Sequence, residues 1–544
     1  MKWKTCLLLA LLAGAAWLSR AGAVWQWSVP VAEGRAFLWV PPACHQVRAV
    51  VLAQNNLLEP GLLEEALFRR ELARLGIAEI FIAPPFETWQ QATNNAAANA
   101  RFDSLLRALA EASGYGELVQ APVIPLGHSA LASFPWNFAA WNSQRTLAIV
   151  SIHGDAPQTT LTGNGQPNAD WGGRGLDGIP GLMVVGEYEW SEERLAPAFK
   201  FRALHPAAPL AVLAEPGRGH FDCSEELVKF LALFIHKAAG QRLPAPPPAG
   251  QPPALKAVDP RNGWLVERWY WRQPRTVKSA RVAKYAGDPN GAFWVFDRAM
   301  ARATENYLAG PPDRLPQLAG LVQDGAIVPQ TETHQQVNLK FEPAADGVTF
   351  KVDGAFLDQV DGGSKNTTRW TGLPAGTPLG HASGGGPVVI SRLAGPVAQV
   401  NSNTFRVQFD RIYSTGDWRN SEIWLLAAHP GDARYQGAVQ QALLKLPSFA
   451  AGTEQQLAFD PIPDQKRGLK KLKLHAAADS GRPVYFYVRE GPAEVSGDTL
   501  RFTQIPPAAK FPVKVAVVAW QLGCAGEPSF KTATPVTREF FITR

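Results

Sequence analysis

Short apolar, β-branched runs alternate with longer amphipathic stretches over residues 48–240. The runs at 49–52, 77–83, 123–126, 147–152, 181–185 and 210–213 read as strands, and 61–75, 102–112, 130–141 and 225–239 read as helices. Strand and helix alternating at this spacing predict a doubly wound, mainly parallel sheet covered on both faces by helices, an α/β domain expected over 24–242. A Pro-rich stretch, 243–256, follows with Pro244, Pro246, Pro247, Pro248, Pro252 and Pro253; it cannot join a sheet interior and is expected to be a stiff linker. Beyond it the texture changes. Trp264, Trp269, Tyr270 and Trp271 cluster early, 292–308 reads as a helix, and 336–341 and 404–409 alternate apolar with polar residues, as strands with one wet face do. A mixed or β-rich domain is therefore expected over 257–462. Residues 463–544 carry short strands at 483–488, 493–498, 499–502 and 513–519, separated by turn residues.

The first residues change the setting. Lys2 and Lys4 precede an apolar run, 6–18, and then Ser19, Arg20 and the small triplet Ala21-Gly22-Ala23. This is the layout of a secretory signal cleaved after Ala23, so a secreted or periplasmic protein beginning at Val24 is expected. No later stretch reaches about 20 uninterrupted apolar residues, so no integral membrane segment is expected.

Composition narrows the classes. A chain of 544 residues suits three or four domains, and 46% hydrophobic against 18% charged residues excludes disorder as the main character. The net charge is +6, but the cations read as scattered rather than as a run tracking a phosphate backbone, so nucleic-acid binding has no support. Cys44, Cys223 and Cys524 remain after the signal, an odd number that makes no disulfide scaffold. With no Cys pair at ligand spacing, no His-Glu-x-x-His and no EF-hand loop, neither a metal nor a cofactor is expected.

The chemistry concentrates at Pro125-Leu126-Gly127-His128-Ser129-Ala130-Leu131-Ala132, where an apolar strand runs through Gly-His-Ser into a helical pattern. Such a turn lifts a serine Oγ above the sheet. A nucleophilic serine needs a base, and the base needs a carboxylate to fix its tautomer. Glu189 follows the strand at 181–185, His220 follows the strand at 210–213, and the order Ser129, Glu189, His220 places each just past a strand end. Asp155, after the strand at 147–152, is the alternative acid. His128 and His153 read as structural or substrate-facing, Asp222 as a cap for the following helix, and Glu187 as pointing elsewhere. Trp89, Trp136, Trp141 and Trp171 are candidates for a cleft but more often belong to a core. The glycine-rich stretch 163–178 reads as a mobile insertion over the site.

On these residues the segment 49–240 resembles the α/β-hydrolases, in particular secreted esterases related to dienelactone hydrolases and carbohydrate esterases. The resemblance implies Ser129 as nucleophile, His220 as base and then acid, and an oxyanion hole formed by the N–H groups of Ala130 and of the loop Gln54-Asn55-Asn56, with Asn55 as the donor. Gln54, His128 and Trp136 are the expected substrate contacts. The chain departs from the family at Leu131, the fifth elbow position, where Gly or Ala is usual. A second resemblance covers about the last 80 residues: Ser480-Gly481, Gly491-Pro492-Ala493, Val495-Ser496-Gly497, Ala519 to Gly523 and Phe540-Phe541-Ile542 are similar to the tandem immunoglobulin-like repeats of bacterial secreted proteins, which implies a β-sandwich over 463–544.

Together these readings predict an exported serine esterase without cofactor, acting on an ester-bearing polymer such as a polysaccharide. A peptidase or polyester depolymerase with the same triad, or a non-catalytic adhesion or carbohydrate-binding protein, are the alternatives. The linker suggests that the hydrolase domain closes its own core; the alternative is that aromatic residues of the middle domain, such as Trp269, Tyr270 and Trp271, complete its cleft.

Overall fold

A computed structural model describes residues 24–90, 95–159, 169–189, 192–248, 250–268, 274–308, 313–330, 335–417 and 419–544. The expected signal at 1–23, the aromatic cluster at 269–271 and part of the glycine-rich insertion lie outside the described residues.

Eight strands form the first sheet: β1 (Trp27–Val31), β2 (Gly34–Trp39), β3 (Ala49–Gln54), β4 (Ile77–Ala83), β5 (Val123–His128), β6 (Ile149–Ile152), β7 (Gly181–Gly186) and β8 (Leu210–Glu215). Their order is β1-β2-β4-β3-β5-β6-β7-β8. β1 and β2 run antiparallel, and every pairing from β4 to β8 is parallel. This is the α/β-hydrolase architecture, with β5, β7 and β8 delivering their C-terminal ends to one edge. The pleat explains why these strands read as unbroken apolar runs: in β3, Ala49, Val51 and Ala53 enter one buried cluster while Val50 and Leu52 enter the other.

Helices cover both faces: α1 (Glu59–Leu63), α2 (Ala66–Leu75), α3 (Asn95–Ser113), α4 (Phe134–Trp141), α5 (Glu192–Leu204) and α6 (Glu225–Arg242). The single helix expected over 61–75 divides because the Glu65 carboxylate accepts the Phe68 N–H at 2.9 Å and caps a new helix. Ser224, not Asp222, caps α6, accepting from the Leu227 N–H; Asp222 instead accepts the Ser224 hydroxyl at 2.7 Å. Among the described residues no helix is long and apolar enough to cross a membrane.

The rest of the chain is rich in strands and packs on the first sheet at three places. Phe293–Val295 and α7 (Arg298–Tyr307) join the cluster of α2, α5 and α6 through Phe293, Trp294, Phe296 and Met300. The sheets of 336–445 share a cluster with the loops after β3, β7 and β8. At the C-terminus, a four-stranded and a three-stranded sheet face each other across Leu500, Val515, Val517 and Phe540, in the same cluster as α3 and the second face of the first sheet. Lys466, Arg467, Lys470, Lys471 and Lys473 gather on outer strands of these two sheets and the turn between them, all exposed. Lysines there discourage edge-to-edge pairing.

Candidate active site

The β5 strand ends in a sharp turn. Ser129 holds φ +53°, a left-handed conformation that strains a residue with a Cβ, and a 3-10 turn and α4 follow. Close packing under this turn depends on two glycines. A Cβ on Gly127 would stand 2.1 Å from the Leu131 carbonyl oxygen, and one on Gly154 would stand 2.0 Å from the Ala132 Cβ. Gly154, on the turn after β6, thus makes room against the elbow from the strand side, and Leu131 fits at the fifth position.

The three residues read from chain order meet here. His220 Nε2 lies 2.7 Å from Ser129 Oγ, and His220 Nδ1 lies 2.5 Å from Glu189 Oε2. Glu189, not Asp155, is the carboxylate on His220 Nδ1. It sits on a 3-10 turn that ends β7, where its Oε1 accepts the Gly186 N–H and its Oε2 accepts from Arg194 of α5. Burial alone would raise the Glu189 carboxyl, but the charges and hydrogen bonds of His153 and His220 outweigh it and hold the group well below the usual carboxylate range. His220 is lowered from the ordinary imidazole value because burial outweighs the support of Glu189. At neutral pH its Nε2 is therefore unprotonated and accepts from the Ser129 hydroxyl. Glu187 turns away and accepts the Gly217 N–H.

Two residues bind the elbow to its neighbours. His128 is fully buried, so it does not face substrate as expected; its Nε2 reaches the His220 carbonyl at 2.9 Å, and burial together with the nearby histidines keeps the ring neutral. Its Nε2–H then donates to that carbonyl and steadies the backbone of the base. Glu59 closes the polar turn 54–59 by satisfying loose backbone groups, accepting three N–H groups: His128 at 2.8 Å, Leu57 at 2.9 Å and Asn56 at 3.2 Å. It clasps the loop after β3 to the nucleophile strand. Burial pushes its carboxyl up to about 7 against the pull of those N–H groups. The polar loop 54–56 followed by an acid at a helix start was the available signal.

Other expected contacts require correction. The Asn55 N–H donates to the Ile82 carbonyl at 2.7 Å, continuing the β3–β4 ladder, so it does not face the position above Ser129; its side-chain amide donates to Asp417 at 2.6 Å. Gln54 accepts the N–H groups of Phe86 and Glu87 and donates to the Glu87 carbonyl, which orders the loop after β4 and takes it away from substrate. Trp136 is 1% exposed and donates from Nε1 to the Asp155 carbonyl, so it belongs to the core, as do Trp89 and Trp171. Ala130 is exposed beside half-buried Ser129.

The β-rich half closes over the catalytic-loop edge. Trp370 Nε1 and Arg369 both donate to the Tyr188 carbonyl at 2.7 Å, one residue before Glu189, and the Tyr188 and Trp370 rings are 4.8 Å apart. Tyr188 donates its hydroxyl to the Gly437 carbonyl. Phe221, directly after His220, lies 4.9 Å from the Trp424 ring. The loops that carry the acid, the base and the early-strand turn are thus each held from the second half of the chain.

No protein-family model matches the chain, and no curated protein does. Solved structures that match include a soluble variant of monoglyceride lipase from Saccharomyces cerevisiae (11% identity, TM-score 0.27, 40% of this chain and 97% of that one). Dienelactone hydrolase from Anabaena variabilis matches at 15% identity and TM-score 0.27, covering 40% of this chain and 98% of that one. Poly(3-hydroxybutyrate) depolymerase from Bordetella parapertussis matches at 14% identity and TM-score 0.28, covering 41% and 93%.

Proposed function

We propose that the chain is a serine hydrolase that cleaves a carboxylic ester through an acyl-enzyme. One observation carries this reading: a serine at φ +53° on a strand-to-helix elbow, 2.7 Å from an imidazole whose other nitrogen is 2.5 Å from a buried carboxylate. In the reaction His220 Nε2 takes the Ser129 proton as Oγ bonds to the ester carbonyl carbon. On this reading the Ala130 N–H donates to the resulting oxyanion. His220 then returns the proton to the leaving alcohol, and water repeats the sequence on the acyl-serine to release the acid. Glu189 holds the productive tautomer and offsets the charge of the imidazolium. The expected signal at 1–23 and the β-rich second half favour an exported enzyme whose ester sits on a polymer, such as an acyl or methyl ester of a polysaccharide.

The test is a fluorophosphonate probe followed by peptide mapping, alongside turnover of a chromogenic acetyl ester. Label on Ser129 with turnover supports the reading; an unlabelled, inactive protein rejects it. The acids separate in the same assay. Glu189→Gln is expected to lower kcat by roughly 10⁴, because an amide favours the wrong imidazole tautomer, while Asp155→Asn stays within about tenfold. The reverse ranking would reassign the acid.

A further inference from the structure

His153 is a buried titratable group that this mechanism leaves unused. It follows β6 at φ +51° and is fully buried, its backbone N–H donating to the Val184 carbonyl and its ring wedged between two acids. Nδ1 is 2.5 Å from Glu189 Oε1, on the opposite oxygen from His220, and Nε2 is 3.2 Å from Glu215 Oε2 at the end of β8. Glu215 in turn accepts the Tyr307 hydroxyl from α7. We propose that His153 is a positioning residue for the proposed esterase reaction: as an imidazolium donating from Nδ1 to Glu189 and ion-paired through Nε2 with Glu215, it fixes the Glu189 carboxylate and limits how strongly that carboxylate supports the base His220. The inference rests on the serine-hydrolase reading.

The geometry argues for the charged ring. A neutral imidazole has one N–H, so it would turn a bare lone pair toward one of two buried carboxyl groups; the imidazolium meets both. In agreement, burial would lower the His153 pKa, but Glu189 and Glu215 carry it up to about 10. The groups around it are Glu189 with Arg194 on that carboxylate, Glu215 with Tyr307, the His128 ring at 5.9 Å and the His220 ring at 6.0 Å. Asp222 acts on Glu215 from the loop after β8, and burial and Asp222 both raise the Glu215 carboxyl. A positive charge this close disfavours a second one on His220, so His153 lowers the basicity of the base as well as holding its partner.

The sign of the effect follows. Only unprotonated His220 accepts the serine proton, so activity is expected to be lost as pH falls through its pKa, with the acid limb of the wild type expected below the ordinary imidazole value because burial lowers His220. Glutamine at 153 keeps N–H groups toward the acids without the charge. In the full-length protein, His153→Gln is expected to move the acid limb of kcat/KM for a chromogenic acetyl ester upward by roughly one pH unit. A superimposable profile overturns the inference while leaving the labelled wild type as a serine hydrolase. A wild type that takes no fluorophosphonate label and turns over no ester rejects the underlying reading, and the inference falls with it. Should His153→Gln not fold, ¹⁵N-histidine NMR of the wild type decides: one ring still protonated at about pH 9 supports the inference, and rings that are all neutral there overturn it.

Discussion

Ser129→Ala is expected to abolish turnover of a chromogenic acetyl ester, with kcat falling by roughly 10⁴ to 10⁶, because the nucleophile and the proton that His220 removes are both lost. Folding should scarcely change. The Ser129 side chain donates to His220 and supports no turn or cap, and alanine bears the same left-handed strain as serine. Thermal melting within a few degrees of the wild type, together with loss of fluorophosphonate labelling, is the expected pair of results. Turnover within about tenfold of the wild type would remove Ser129 from the reaction and sink the proposed function.

A truncation after Arg242 should be insoluble or inactive on small soluble esters as well as on polymers. The Pro-rich stretch suggests a hydrolase domain that closes its own core, but the contacts point the other way. Cutting there takes Phe296 from Phe234 and Tyr307 from Phe230 of α6, removes Phe293, Trp294 and Met300 from the same cluster, and strips the cover from α3 and the second face of the sheet. It also removes Asp417 from Asn55, Trp370 from Tyr188 and Trp424 from Phe221, so the three loops around Ser129 lose their outer supports. Exposing several large apolar side chains costs about 1.5 to 3 kcal/mol each, which exceeds the margin of an ordinary domain. The comparison is full-length against truncated protein, by solubility, melting and ester turnover. A soluble truncation with full activity on small esters would restore the view that the β-rich half only holds the protein on its substrate.

Much of the first sheet was legible because its parallel strands are buried on both faces, which makes β3, β4, β5, β7 and β8 continuous apolar runs with turn residues at their ends. The edge strand β1 and its neighbour β2 escaped, as did α5. Trp27–Val31 carries Pro30 and Ser28 and takes its place from pairing with β2 and from a carboxylate 462 residues away, and α5 has Pro197 inside it, which masks the helical pattern. At the site, Ser129, Glu189 and His220 were readable because each sits at a strand end and chain order constrains their roles. The functions of His153 and Glu59 were not: His153 meets Glu189 across 36 residues and Glu59 meets His128 across 69, and nothing local marks a side chain whose partners come from other strands. Asn55 shows the converse limit. Its place in the loop suggested a donor, yet whether a backbone N–H is already engaged depends on the neighbouring strand, here β4.

The outer strand β1 bears on how the protein reaches this state. The Ser28 N–H and hydroxyl donate to Glu490 at 2.9 and 2.6 Å, Arg35 of β2 bonds the same carboxylate, and Trp25 pairs with Gly491. A ribosome must therefore deliver nearly the whole polypeptide before the first strand finds its last partners. Contacts of such long sequence separation make folding slow, and until they form β1 lacks its outer partners. On the proposal of export, this order has a use: the first strand takes its final place only after both ends of the chain have crossed, so the complete proposed site forms on the far side.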